Sequence, residues 1–179
     1  WNALRKPHAC PDGGLIVLGF DGSKSGDDTA LIATCVMCGY QFPLGIWDPR
    51  DYGGLIPVDQ VNVIVDSAFS DFEVWRFYYD PPYWRDEAAA WAGRYGEDIV
   101  KPWPTNRNRP MAAAVQAFAT AISDKSLSHS GDAAFTAHIG NAHKRALLDR
   151  DDQGEHLWTI QKASPDSALK IAGAIAAVL

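Results

Sequence analysis

Two aspartates close apolar runs in this chain: Asp21 ends LIVLGFD and Asp80 ends EVWRFYYD. An apolar run that stops at an acid just before a turn predicts a buried strand with a carboxylate at its mouth. Two such carboxylates emerging at one sheet edge repel each other unless a cation neutralises them. Oxygen ligands of this kind suit Mg2+ or Mn2+. Such ions activate water and stabilise the leaving oxygen in phosphodiester hydrolysis. The plainer alternative is that Asp21-Gly22 and Asp80-Pro81 are ordinary turn dipeptides.

Other polar residues are weaker candidates. Asp27 and Asp28 follow the first acid across a turn; they either adjoin a metal or are solvated turn acids. Asp86 and Glu87 open a helical stretch, where acids are favoured without any catalysis. His138 and Asn141 lie one helical turn apart, so His138 is either a phosphate donor or general acid, or a satisfied, partly buried histidine. Lys170 contacts phosphate, orients an acid, or is simply paired. For nucleic acid, KPWPTNRNR places Lys101, Arg107 and Arg109 together without an acid, which suits phosphate contacts. Lys144, Arg145 and Arg150 form a second basic cluster. Plain surface solvation is the alternative for both.

His8, Cys10, Cys35 and Cys38 form a conceivable zinc set. It is disfavoured here, because Cys35 and Cys38 sit in the apolar run LIATCVMCGY and residues three apart on a strand face opposite sides. Three cysteines do not make a disulfide framework and fit a reducing compartment.

The elements that would position these groups follow from periodicity and punctuation. Residues 1–14 are broken by Pro and Gly and read as a linker or N-terminal extension; residues 15–179 read as one domain. Strands are expected at 15–21, 29–40 and 41–48, joined as an antiparallel meander. A helix follows at 57–69, a strand at 73–80, a helix at 83–96 ending at Gly96, and a short strand at 98–103. Helices at 109–123 and 131–144 precede a hairpin, ALLDRD and HLWTIQKA. A last helix is expected from Ser164-Pro165 to the end. The order predicts an α/β domain with a mixed sheet.

The bulk numbers agree with a single domain of 179 residues, 47% apolar, with net charge −6. Any basic footprint is therefore local. No apolar run reaches the ~18 residues of a membrane span, and no G-x-x-x-x-G-K-[ST] phosphate loop occurs. The abrupt start at Trp1 and end at Leu179 suggest a domain taken from a longer polypeptide.

In order, the pieces GFDGSKSGDDTALI, YYDPPYWRDEAAAWAGRYG, TNRNRPMAAAVQAF, HIGNAHKR and KASPDSALKIAGAIAAVL resemble the nuclease domain of tailed-bacteriophage terminase large subunits, most of all those of actinobacterial phages. The resemblance implies an RNase H-like fold of five or more strands, as in retroviral integrases. It implies an endonuclease that cuts concatemeric double-stranded DNA with two Mg2+ or Mn2+ ions. It further implies a separate ATPase domain, a small terminase subunit and a capsid portal as partners in the full-length protein, acting in the host cytoplasm, with no membrane involved. Three acids usually hold the metals. Two match Asp21 and Asp80. The third, from a Lys-Ile-Asp-Ala-Ala segment, falls on Ala172 of Lys170-Ile171-Ala172-Gly173-Ala174. On a helix running from 164, Asp166 would lie about 120° round from residue 172 and pair with Lys170, while Ala172 would share an inward stripe with Ala168, Leu169, Ile175, Ala176 and Leu179. Ala172 is thus either a deliberate removal of the third acid, the favoured explanation, or a natural residue in a site that another group completes. Either way a silent or weakened nuclease is expected. A non-catalytic DNA- or portal-binding module, and another RNase H-like nuclease of resolvase or transposase type, are the alternatives.

Overall fold

A computed structural model describes residues 1–7, 10–164 and 167–179. The meander forms as expected: β1 (Leu15–Gly22), β2 (Thr29–Cys35) and β3 (Tyr40–Trp47) pair antiparallel. After helix α1 (Val58–Asp71), strand β4 (Glu73–Tyr79) lies parallel to β1. Helix α2 (Arg85–Tyr95) then leads to β5 (Val100–Pro102), parallel to β4. Helix α3 (Asn108–Ser123) leads to β6, only Ser128–His129, which pairs parallel with β3. The result is one mixed six-stranded sheet, ordered β5-β4-β1-β2-β3-β6. Helix α4 (Ala133–Gly140), a separate hairpin of β7 (His143–Arg150) and β8 (His156–Gln161), and α5 (Ala172–Val178) complete the fold.

The central strands are buried on both faces, which is why they read as nearly continuous apolar runs. On one face Ile16, Leu18, Phe20 and Leu31 pack with Phe77, Trp84 and Trp91. Phe20 meets the Trp84 and Trp91 rings edge-on at 5.0 and 5.4 Å, a favourable aromatic geometry. On the other face Ala30 and Ile32 pack with Phe135, Ala172, Ala176 and Ala177. Here α5 lies unusually close to β1: a Cβ on Gly19 would stand 1.9 Å from the Ala176 carbonyl oxygen. Gly19 and the alanines of α5 make that approach sterically possible.

Several expected boundaries are corrected. The last helix starts at Ala172, not near Ser164-Pro165, and Ala168 and Leu169 are exposed non-helical residues rather than members of an inward stripe. Asp166, and with it the expected pairing to Lys170, lies outside the described residues. The helix expected over 131–144 ends at Gly140, and β7 takes over from His143. The two residues of β6 are too few to carry a period in sequence. At the N-terminus, Trp1 stacks on His129 at 3.9 Å and Leu4 is buried.

Candidate functional site

Asp21 is the penultimate residue of β1, paired with Ala30 across the meander. Asp80 follows β4, and its N–H donates to the Phe20 carbonyl at 3.0 Å. The parallel β1–β4 pairing therefore brings both strand-end acids to one sheet edge. With Asp27, Asp28, Tyr83, Ile171 and Ala172 they line a crevice of about 280 Å3. Ala172, the first residue of α5, is only 5% exposed. Residue 172 thus borders the same crevice as the two acids, and the helix that carries it begins there and not eight residues earlier.

The four carboxylates differ in their partners. Asp21 is crowded: burial first, then the charges of Asp80 and Asp27, push its carboxyl up to about 8, against the opposing pull of Lys162. Asp80 is clamped by Thr105, whose N–H donates to Oδ1 and whose hydroxyl donates to Oδ2, each at 3.0 Å. Those donors are uncharged, so they orient the carboxylate without neutralising it and leave its other lone pairs to a cation. Asp27 is instead engaged by two ammonium groups, Lys162 and, at 3.1 Å, Lys170. Burial raises the Asp27 carboxyl, but these lysines lower it more, to a net value below the usual range.

Asp28 is buried. Its Oδ2 accepts from His138 Nε2 at 3.1 Å, while its Oδ1 is buried with no hydrogen-bond partner. His138 Nδ1 accepts the Gly173 N–H at 2.9 Å. That bond assigns the proton to Nε2, which donates to Asp28. Asn141 Nδ2 donates to the Lys170 carbonyl at 3.1 Å. His138 and Asn141 therefore hold the start of α5 against the β1–β2 turn. Lys170 Nζ donates to the Gly26 carbonyl as well as pairing with Asp27.

The basic residues lie on connected elements. Thr105 sits in the loop between β5 and α3, and Trp103 N–H extends the strand pairing to the Tyr79 carbonyl at 2.7 Å. Two residues past Thr105 comes exposed Arg107, and Arg109 in the first turn of α3 lies 3.7 Å from Asp149 of β7. Asn108 donates to the same Asp149 at 3.0 Å. Asp149 thus ties the first basic cluster to β7, the strand that also carries Lys144 and Arg145. Lys144 lies 4.4 Å over the Trp158 ring, Arg145 is exposed, and Lys101 pairs with Asp98 at 3.4 Å. Asp86 and Glu87 occupy the first turn of α2, and Glu87 pairs with Lys24. Sequence reasoning missed Thr105, Lys162 and Tyr83. Only Tyr83 stands out by itself, through its positive φ of 69°, a conformation rare for a non-glycine residue.

Comparison with known proteins bears on the class. No family model matches the chain. Among solved structures, the large terminase nuclease of thermophilic phage G20c superposes with a TM-score of 0.66 at 13% identity, covering 98% of this chain and 89% of that one. The HK97 bacteriophage large terminase gives 0.69 at 17% identity, covering 98% of this chain and 40% of that one. The fold is therefore that of the nuclease domain of phage large terminases, an RNase H-like mixed sheet flanked by helices. Gene 13 protein of Mycobacterium phage L5 is 33% identical over 176 residues, which is 93% of this chain and 29% of that protein. Gene 13 protein of Mycobacterium phage D29 is 34% identical over the same span. The chain thus spans under a third of the length of these relatives.

Proposed function

We propose that this chain is the nuclease module of a viral DNA-packaging terminase, an endonuclease that hydrolyses concatemeric double-stranded DNA with two Mg2+ or Mn2+ ions. The observation that carries the reading is the convergence of Asp21, Asp80 and position 172 on one crevice. The raised Asp21 carboxyl and the unpartnered Asp28 Oδ1 both favour a cation there. The solved G20c nuclease with bound magnesium, similar in fold at a TM-score of 0.65, is consistent with it. Among the described residues, however, no three His, Cys, Asp or Glu side chains form a ready metal-binding group. The shortfall sits at Ala172.

Asp21 and Asp80 would hold the metal, with Thr105 fixing the Asp80 carboxylate. Arg107, Arg109, Lys101, Lys144 and Arg145 would contact phosphates and hold the duplex over the crevice. When bound, divalent ions supply an activated water and neutralise the departing oxygen. With alanine at position 172 the ligand set is short, so cleavage by this chain is weak. In the longer protein, the module would work beside an ATPase domain, with a small terminase subunit and the portal, in the host cytoplasm. No described helix is long and apolar enough to cross a membrane. A second reading, a non-catalytic DNA- or portal-binding module, is favoured by Ala172 and by the two lysines already on Asp27. A resolvase- or transposase-type nuclease is the remaining alternative on this superfamily's fold.

One substitution separates the readings. Ala172→Asp should raise Mn2+-dependent cleavage of plasmid DNA by orders of magnitude, followed by conversion of supercoiled to nicked and linear forms. A folded Ala172→Asp protein that gains no activity and takes up no Mn2+ by calorimetry would sink the nuclease reading and leave the binding module.

A further inference from the structure

The chain passes from β4 into α2 through Asp80, Pro81, Pro82, Tyr83 and Trp84, with the turn at Pro82-Tyr83. Tyr83 takes φ 69°. Proline followed by a residue of positive φ is the pattern of a type II turn, and glycine is the residue that fits its second central position. Holding a tyrosine there costs backbone free energy that glycine avoids. Among the described residues one other non-glycine has a positive φ, Lys125 at 56°. Lys125 lies two residues past the end of α3, where a left-handed residue commonly terminates a helix. Tyr83 comes before a helix and has no such role.

The turn is fixed from both sides. Asp80 is held by the Phe20 carbonyl and by Thr105. Trp84 is fully buried, edge-on to Phe20 at 5.0 Å, with the Lys24 ammonium 5.4 Å over its ring. Tyr83 between them is 68% exposed, and among the described residues nothing hydrogen-bonds its hydroxyl. Its side chain therefore gives the fold little packing and no hydrogen bond to offset the strain. It does line the crevice of Asp21, Asp80 and Ala172, which the exposed Tyr52 and Trp75 do not. Apart from the acids, the side chains that line this crevice include two with a donor group, Ser23 and Tyr83. The Ser23 hydroxyl donates to the Ser25 carbonyl. Tyr83 thus carries the uncommitted donor.

We propose that Tyr83 is a substrate-contact residue, its hydroxyl donating to a backbone phosphate of duplex DNA at the rim of the acid crevice. This rests on the nuclease-module reading above. In an intact duplex the bases are stacked on one another, so a tyrosine at a surface crevice meets the sugar–phosphate backbone. A phenolic hydroxyl donates to phosphate oxygens there. The two ammonium groups nearest the acids, Lys162 and Lys170, are already engaged by Asp27. A neutral donor beside Asp21 and Asp80 holds the strand against these carboxylates without competing for a cation.

Fluorescence anisotropy with a labelled duplex in EDTA reads binding without cleavage. Tyr83→Phe keeps the ring and removes the hydroxyl, and should weaken binding about tenfold, as for loss of a hydrogen bond to a charged group. The hydroxyl is uncharged and releases no counterion, so the slope of log affinity against log salt should stay the same, unlike the loss of an arginine. Tyr83→Gly should bind at least as weakly as Tyr83→Phe, with an equal or higher melting temperature, since glycine takes the turn without strain. Unchanged affinity in Tyr83→Phe, a changed salt slope, or a lower melting temperature in Tyr83→Gly would overturn the proposal. So would a complete lack of duplex binding by the unaltered protein. The nuclease reading fails separately. If Ala172→Asp neither cleaves nor takes up Mn2+ while Tyr83→Phe still loses affinity, the DNA contact stands on a binding module. If Ala172→Asp cleaves and adding Tyr83→Phe alters neither affinity nor cleavage, the nuclease stands and the contact falls.

Discussion

Within the crevice, the acids are told apart by what donates to them. Thr105 gives Asp80 two neutral donors, while Asp27 is consumed by Lys162 and Lys170. Asp21 has neither, and its crowding has a measurable consequence. Its carboxyl titrates near 3.8 when unfolded and near 8 when folded. Between those values the folded state holds a proton that the unfolded chain has lost. Stability in metal-free buffer is therefore undiminished below 3.8 and falls as pH rises toward about 8. Chemical denaturation in EDTA across this range should show the decline, and Asp21→Asn should flatten it. An identical pH slope in the variant would mean that other groups carry it. Added Mn2+ should recover stability at the alkaline end, since an ion that binds only the folded chain stabilises it by mass action.

At the scale of elements, α5 has seven residues, too few to be stable by its own propensity. It is held from outside. Gly19 lets it settle on β1, Asn141 caps the approach at Lys170, and His138 links its second residue, Gly173, to Asp28. His138 is thus a brace between the β1–β2 turn and the helix that presents residue 172. Replacing His138 by Ala leaves a buried carboxylate with no partner and a helix start without its acceptor. The expected cost is about 1–3 kcal/mol, read from urea denaturation with an unchanged m-value. A loss near zero would show that α5 is held by its alanine packing alone.

For the whole molecule, a net charge of −6 opposes DNA except where basic groups gather. The fold gathers them by leading the loop after β5 from Thr105 to Arg107 and Arg109, then tying α3 to β7 through Asp149. Replacing Arg107 and Arg109 together by Ala should weaken duplex binding. It should also make the dependence of log affinity on log salt shallower by about 2, because each phosphate left without its arginine keeps its counterion. Fluorescence anisotropy in EDTA over a salt series measures this without cleavage. An unchanged slope would move the DNA track elsewhere on the surface.

By itself the sequence determined the strand-end acids and the mixed α/β order, and its resemblance to terminase nucleases marked Ala172 as the position to test. Strands buried on both faces must be apolar throughout, and the acids that end them are conspicuous. It misplaced the start of the last helix, because SPDSALK has helical composition while Lys170 is drawn to Gly26 and Asp27, more than 140 residues earlier. It set Cys35 and Cys38 on opposite faces, because a strand period was carried past the residue where the backbone turns. Only the tertiary structure decided that Thr105 serves Asp80, that Lys162 occupies Asp27 and that His138 braces α5. Periodicity records which face of its own element a residue takes. It holds no information on which distant side chain waits there, and that pairing is made only when the sheet closes and the helices dock.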